Sequence, residues 1–150
     1  MSSVLSLSSY LIVVAAGVSV ALQQILNANL RFELDSPWWA GFVSYFIGMV
    51  VMLVIAIASP GSKAVLSSVG NSSWVSWTGG FFGAIFIGVA IFMVPRLGAA
   101  TVLALIVVGQ MLGSITFDHY GLFGVPQHDA SPIRLAGAGL LIAGVVLVRM

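Results

Sequence analysis

The chain has 150 residues and nine formal charges, five Lys or Arg and four Asp or Glu. That is 6% charged and 60% apolar, where a soluble domain carries about 25% charged residues, and mean hydropathy is +1.15. These figures exclude a soluble domain, a disordered chain and a nucleic-acid binder, which needs a basic patch to neutralise phosphates, and they leave an integral membrane protein.

Long unbroken apolar runs favour helices over barrel strands, which would alternate polar and apolar residues. Cysteine is absent, so there are no disulfides, thiolate ligands or cysteine nucleophiles. A spanning helix needs roughly 20 apolar residues, and five runs fit.

The first predicted span is 8–29. Met1 to Ser9 lacks the basic region of a signal peptide, so this helix is expected to be retained. Gln23, Gln24 and Asn27 lie inside it. At helical spacing they share a sector of about 100° with Arg31. Side-chain amides in hydrocarbon must find partners in the bundle or line a wet cavity. Both readings stand, and the clustering favours a substrate-facing role.

The second span is 37–58, with Ser36 as N-cap, Pro37 at its first position and Ser59-Pro60-Gly61 as its stop. Gly41, Ser44, Gly48 and Met52 share a face, with Tyr45 on its flank. Tyr45 could bond a substrate or satisfy a neighbouring helix. The third span, 74–94, mixes glycines with Phe81, Phe82, Phe86 and Phe92. These rings fit lipid or core packing, and Phe82 and Phe86 are candidates for a cavity wall, since aromatic faces attract cations. Trp38, Trp39, Trp74 and Trp77 sit at span ends, where indoles favour the interface.

Val94-Pro95-Arg96 reads as a short connection to the fourth span, 97–117. Gln110, Ser114 and Asp118 form a polar stripe at i, i+4 and i+8. Asp118 and His119, at its end, are candidates for proton uptake. With His128 and Asp129 they bracket the last loop, but their spacing predicts no metal site. The fifth span, 133–149, follows Ser131-Pro132. Gly137 and Gly144, seven residues apart, predict a flat face for another helix, within the subunit or across a dimer.

The prediction is therefore one transmembrane domain over 1–150, an all-α membrane protein with five transmembrane helices. An odd number puts the termini on opposite sides. Lys63 and Arg134 then lie on one side, and Arg31, Arg96 and Arg149 on the other. Two against three favours N-out and C-in only slightly and fits insertion both ways round. Five helices are few for a substrate path, and no repeat exists within the chain. Its second half would be another copy, antiparallel in the sense that ten-helix inverted-repeat transporters are.

The runs Gln23-Gln24-Ile25-Leu26-Asn27-Ala28-Asn29-Leu30-Arg31 and Ser36-Pro37-Trp38-Trp39-Ala40 resemble the opening of small YdcZ-type members of the drug/metabolite transporter superfamily. Pro95-Arg96-Leu97-Gly98-Ala99-Ala100-Thr101 is the most specific part of the resemblance. Gly109-Gln110, Asp118-His119-Tyr120-Gly121 and Ser131-Pro132-Ile133-Arg134 also fit it. It covers the whole chain and implies a five-helix inner-membrane half of a ten-helix drug/metabolite transporter-type bundle. Four-helix relatives are antiparallel homodimers with a glutamate in helix one. This chain has amides there, so their proton-coupled cation export does not carry over.

The expected function is small-molecule transport, in the export direction, by alternating access in a homodimer. Its midplane site would use Gln23, Gln24, Asn27, Tyr45, Phe82, Phe86, Gln110 and Ser114. The expected partners are the lipid bilayer, a second copy and the substrate. No cofactor and no nucleic acid are expected. The alternative is a non-transporting membrane subunit that docks partner helices. No catalytic dyad at membrane depth suggests an enzyme.

Overall fold

The computed structural model describes residues 2–60 and 72–150, with side chains in the first helix from residue 8. Lys63, counted in the charge split, and Gly61, in the predicted stop, lie outside the described residues. All regular structure among the described residues is helical. Helix α1 is Ser2–Glu33 and α2 is Pro37–Ala58. A 3-10 turn, Trp74–Thr78, leads into α3, Gly79–Leu97. Helix α4 is Ala99–Tyr120, and a short 3-10 turn, Leu122–Gly124, precedes α5, Pro132–Arg149.

Five helices are long and apolar enough to cross a membrane. A helix satisfies its own backbone polar groups, and hydrocarbon offers no water to do so. The shortest, α5, has 18 residues and reaches about 27 Å, close to the thickness of a bilayer core. Leu11, Ile12, Val13 and Val14 of α1 and Leu53, Val54 and Ile55 of α2 are all exposed. Such runs suit lipid.

The corner between α1 and α2 takes two residues beyond α1's end before Ser36 caps α2. Asp35 is left-handed, with φ 48°. Ser36 N donates to Arg31 O at 3.1 Å and Asp35 N to Phe32 O at 3.4 Å. This pair of bonds is the Schellman closure of a helix C-terminus. Ser36 then turns its hydroxyl to the next helix and accepts from Trp39 N at 3.4 Å, with Pro37 at the first position. Glycine usually fills a left-handed C′ position, because other residues strain there. Asp35→Gly is expected to stabilise the chain by about 0.5 kcal/mol, read as a rise in the unfolding midpoint in detergent.

The break after α3 falls later than the sequence suggests. The helix continues through Pro95 to Leu97, because a proline near a helix C-terminus keeps a helical φ and forfeits only one bond. Gly98 makes the break, with φ 82° and ψ 149°, a conformation open essentially to glycine alone.

Two compact units divide the chain at Pro95 and Arg96. In the first, α1 packs along α2. Its buried centre is Ala40 with Ile87 and Ile91, and Leu30 and Phe86 lie against it. Gly41 of α2 faces α3, where a Cβ would meet Ile91 Cδ1 at an ordinary contact distance of 3.5 Å. In the second unit, α4 packs along α5.

Candidate functional site

The polar face of α1 divides in two. Gln24 is fully buried and Asn27 is 5% exposed. Neither Gln24 Nε2 nor Gln24 Oε1 has a hydrogen-bond partner, and Asn27 Nδ2 has none. A buried polar group without a partner costs about 1–3 kcal/mol, and most such groups in folded proteins are satisfied. Gln23 is exposed and donates through Nε2 to Ser44 Oγ on α2, at 3.4 Å. Arg31, half-buried, donates through Nη1 to the carbonyl of Ile91 on α3, at 3.0 Å. That bond joins residues sixty apart.

Tyr45 lies between α2 and α3. Its hydroxyl sits where Gly83 has no side chain, 2.6 Å from the place a Cβ would occupy. The ring remains 39% exposed. Phe86 packs against the buried Ala40, Ile87 and Ile91. Phe82 is exposed and meets Phe81 edge-on, with centroids 5.7 Å apart. Of the two candidate wall residues, only Phe86 is placed inside the helix packing.

In the second unit Gln110 and Ser114 are both exposed on α4. Asp118 ends that stripe in an ion pair with Arg134 at the start of α5. Arg134 also donates to the carbonyls of His128 and Asp129, at 3.3 and 3.4 Å. His119 Nδ1 accepts from Ala130 N at 3.3 Å, so that nitrogen carries no proton in this arrangement. Gln127 Nε2 donates to His119 O at 2.9 Å. These bonds fasten the 121–131 loop to both helix ends. The Asp118–Arg134 pair is about one-third exposed, so Asp118→Ala is expected to lower stability by about 1 kcal/mol, measured by unfolding in detergent.

A groove of about 270 Å³ between α4 and α5 is lined by Leu105, Val108, Ile142 and Val145, with Thr101 and Arg149 as its polar members. Nothing within 4 Å would meet a Cβ at Gly137 or Gly144. The chain itself therefore leaves that face of α5 open. Among the described residues no group of three or more His, Asp or Glu could hold a metal ion.

Residues 9–147 match the family described as "Putative inner membrane exporter, YdcZ". The chain belongs to the YdcZ family. The inner membrane protein YdcZ of Escherichia coli (strain K12) is 27% identical over 136 residues, covering 90% of each chain. No solved structure gives a significant match.

Membership in the YdcZ family makes this chain a multi-pass inner-membrane protein. It also places the chain among membrane transporters. The resemblance read from the Gln23–Arg31 and Pro95–Thr101 segments is thus to the right family. Sequence spacing grouped Gln23 with the buried amides. Gln23 and Gln24 lie at opposite edges of that sector, with Asn27 and Arg31 between them, and only the Gln24 edge is buried.

Proposed function

We propose that the chain is half of a small-molecule exporter. Two copies, antiparallel in the membrane, alternate access to a site near the bilayer midplane. Gln24 and Asn27 form the polar centre of that site, and Gln23, Tyr45 and Phe86 flank it. Gln110 and Ser114 supply a second polar stripe, and Phe82 an aromatic surface.

The observation that carries this reading is the burial of Gln24 with both amide atoms unpartnered. An amide used as packing glue has its partner in the packed chain. An amide kept for a transient ligand does not. Asp118 and His119 are assigned to fastening the loop, in keeping with Arg134 and Ala130 as their partners.

Helix α5 is the dimer helix in this reading. Gly137 lies five residues from its start, Pro132, and Gly144 five residues from its end, Arg149. The glycines are therefore symmetric about its middle. An antiparallel pair, with its two-fold axis in the membrane plane, sets Gly137 against Gly144 of the partner subunit. A parallel pair sets like against like.

The absence of cysteine makes the test clean. Gly137→Cys and Gly144→Cys chains, differently tagged and co-expressed, are oxidised in membranes. Disulfides mainly between unlike positions are expected. Like-with-like disulfides would overturn the antiparallel arrangement, and a lack of any disulfide would overturn α5 as the dimer helix. For transport, purified chain in liposomes should move a solute, and Asn27→Ala should stop it. A chain that moves nothing and co-purifies with a stoichiometric larger membrane protein would favour the docking subunit instead.

A further inference from the structure

Pro95 lies inside α3. Proline has no amide hydrogen to give the carbonyl four residues back, which is that of Ile91. Arg31 Nη1 donates to this same carbonyl, at 3.0 Å. The guanidinium carbon also stands 5.1 Å from the centroid of Phe92 and 5.7 Å from that of Phe32. Phe92 is held edge-on by Trp38, with centroids 5.4 Å apart. The cation is thus fixed by a carbonyl that the proline has released and by aromatic rings.

Among the described residues its charge has no carboxylate partner. The arginine–carboxylate ion pair among the described residues is Arg134 with Asp118. Glu33 and Asp35, the nearest acids in sequence, are both exposed. An arginine has five N–H donors, and Ile91 engages one. On the same face of α1 lie the unpartnered Gln24 Nε2 and Asn27 Nδ2, with Gln24 Oε1 as the one unpartnered buried acceptor. Asn27 is one turn from Arg31 and Gln24 about two turns. This face is rich in donors, carries a cation and has no acid of its own. Charge-assisted bonds from such groups to an oxyanion are stronger than those between neutral groups.

We propose that Arg31, positioned by the carbonyl that Pro95 frees, selects the charge of the substrate, which is a small organic carboxylate. This rests on the Gln24–Asn27 substrate site proposed above. Arg31 meets the carboxylate, and the amides meet polar groups further along the molecule.

The test measures thermal unfolding of the full-length chain in neutral detergent. The probes are benzoate, benzamide and benzylamine, then butyrate, butyramide and butylamine. Within each trio only the head group changes. A carboxylate is expected to raise the midpoint by about 2–4 °C near saturation, and its amide and amine are not. Arg31→Gln alone would strand the Ile91 carbonyl and could unfold the chain. The double variant Arg31→Gln with Pro95→Ala removes the charge and returns a helix partner to that carbonyl. It should fold and lose the carboxylate shift. Pro95→Ala alone should keep or raise the basal midpoint while weakening carboxylate binding severalfold, because Arg31 loses its anchor.

An amine shift without a carboxylate shift overturns the proposal, as does no carboxylate shift at all. A carboxylate shift that survives in the double variant also overturns it. Stabilisation by phosphatidylglycerol alone would assign Arg31 to a lipid phosphate and overturn the solute. If the double variant loses the carboxylate shift but Gln24→Leu keeps it, Arg31 binds the anion and the amide site fails instead.

Discussion

Replacing Gln24 with leucine is expected to stabilise the folded chain while disabling transport. Leucine has nearly the volume of glutamine and no polar atoms. Gln24 is fully buried, and neither its Nε2 nor its Oε1 has a partner. Removing two unpaired buried groups should raise stability by about 1–3 kcal/mol, seen as a higher unfolding midpoint in detergent. Export from liposomes of any solute that stabilises the native chain should fall about tenfold or more, since the loss of one good hydrogen bond is worth about that factor. A site kept for function at the expense of stability behaves in this way. If Gln24→Leu instead destabilises the chain, the amide is a bonded strut and the site assignment fails.

Gly83→Ala is expected to be the most damaging of the small substitutions between helices. The new Cβ would stand 2.6 Å from the Tyr45 hydroxyl, well inside contact distance. Overpacking of this kind costs about 1–3 kcal/mol. The next nearest Tyr45 atom is Cζ, at 3.7 Å, which is ordinary contact. Tyr45→Phe removes the hydroxyl and should therefore rescue Gly83→Ala. The double-mutant cycle should give a coupling of about 1–3 kcal/mol, measured by unfolding of the four chains. Additive effects would mean that Tyr45 simply swings aside, as its 39% exposure leaves room to do.

The architecture was legible because the bilayer dictates it. Hydropathy finds a helix wherever some 20 apolar residues must hide their backbone, and Ser36-Pro37 and Ser131-Pro132 mark helix starts by local chemistry alone. Both serines accept from the backbone three residues on. The α3–α4 break was displaced because proline is compatible with a last helical turn, whereas the Gly98 conformation is not compatible with any helix.

The site was legible only as a face. Helical spacing grouped Gln23, Gln24, Asn27 and Arg31, but a sector about 100° wide cannot say which members meet another helix. Tertiary contacts sort them: Gln23 to Ser44, Arg31 to Ile91, and Gln24 and Asn27 inward. One signal for the Arg31 bond was present in the sequence. A proline inside an apolar helix leaves the carbonyl four residues back in need of a donor, and Arg31 was the basic residue at the end of the amide face.

The two bonds that engage Arg31 become available at different times during synthesis. Its carbonyl accepts from Ser36, five residues ahead, so the α1–α2 corner can close as soon as that stretch has emerged. Its guanidinium waits for Ile91, sixty residues later. At about 5–20 residues per second, that is about 3–12 s. Until then α1 and α2 form a helical hairpin whose arginine is hydrated rather than anchored, with Glu33 and Asp35 beside it on the same side of the membrane. The anchor that fixes the charge at the amide face is therefore a late event, completed only when α3 arrives.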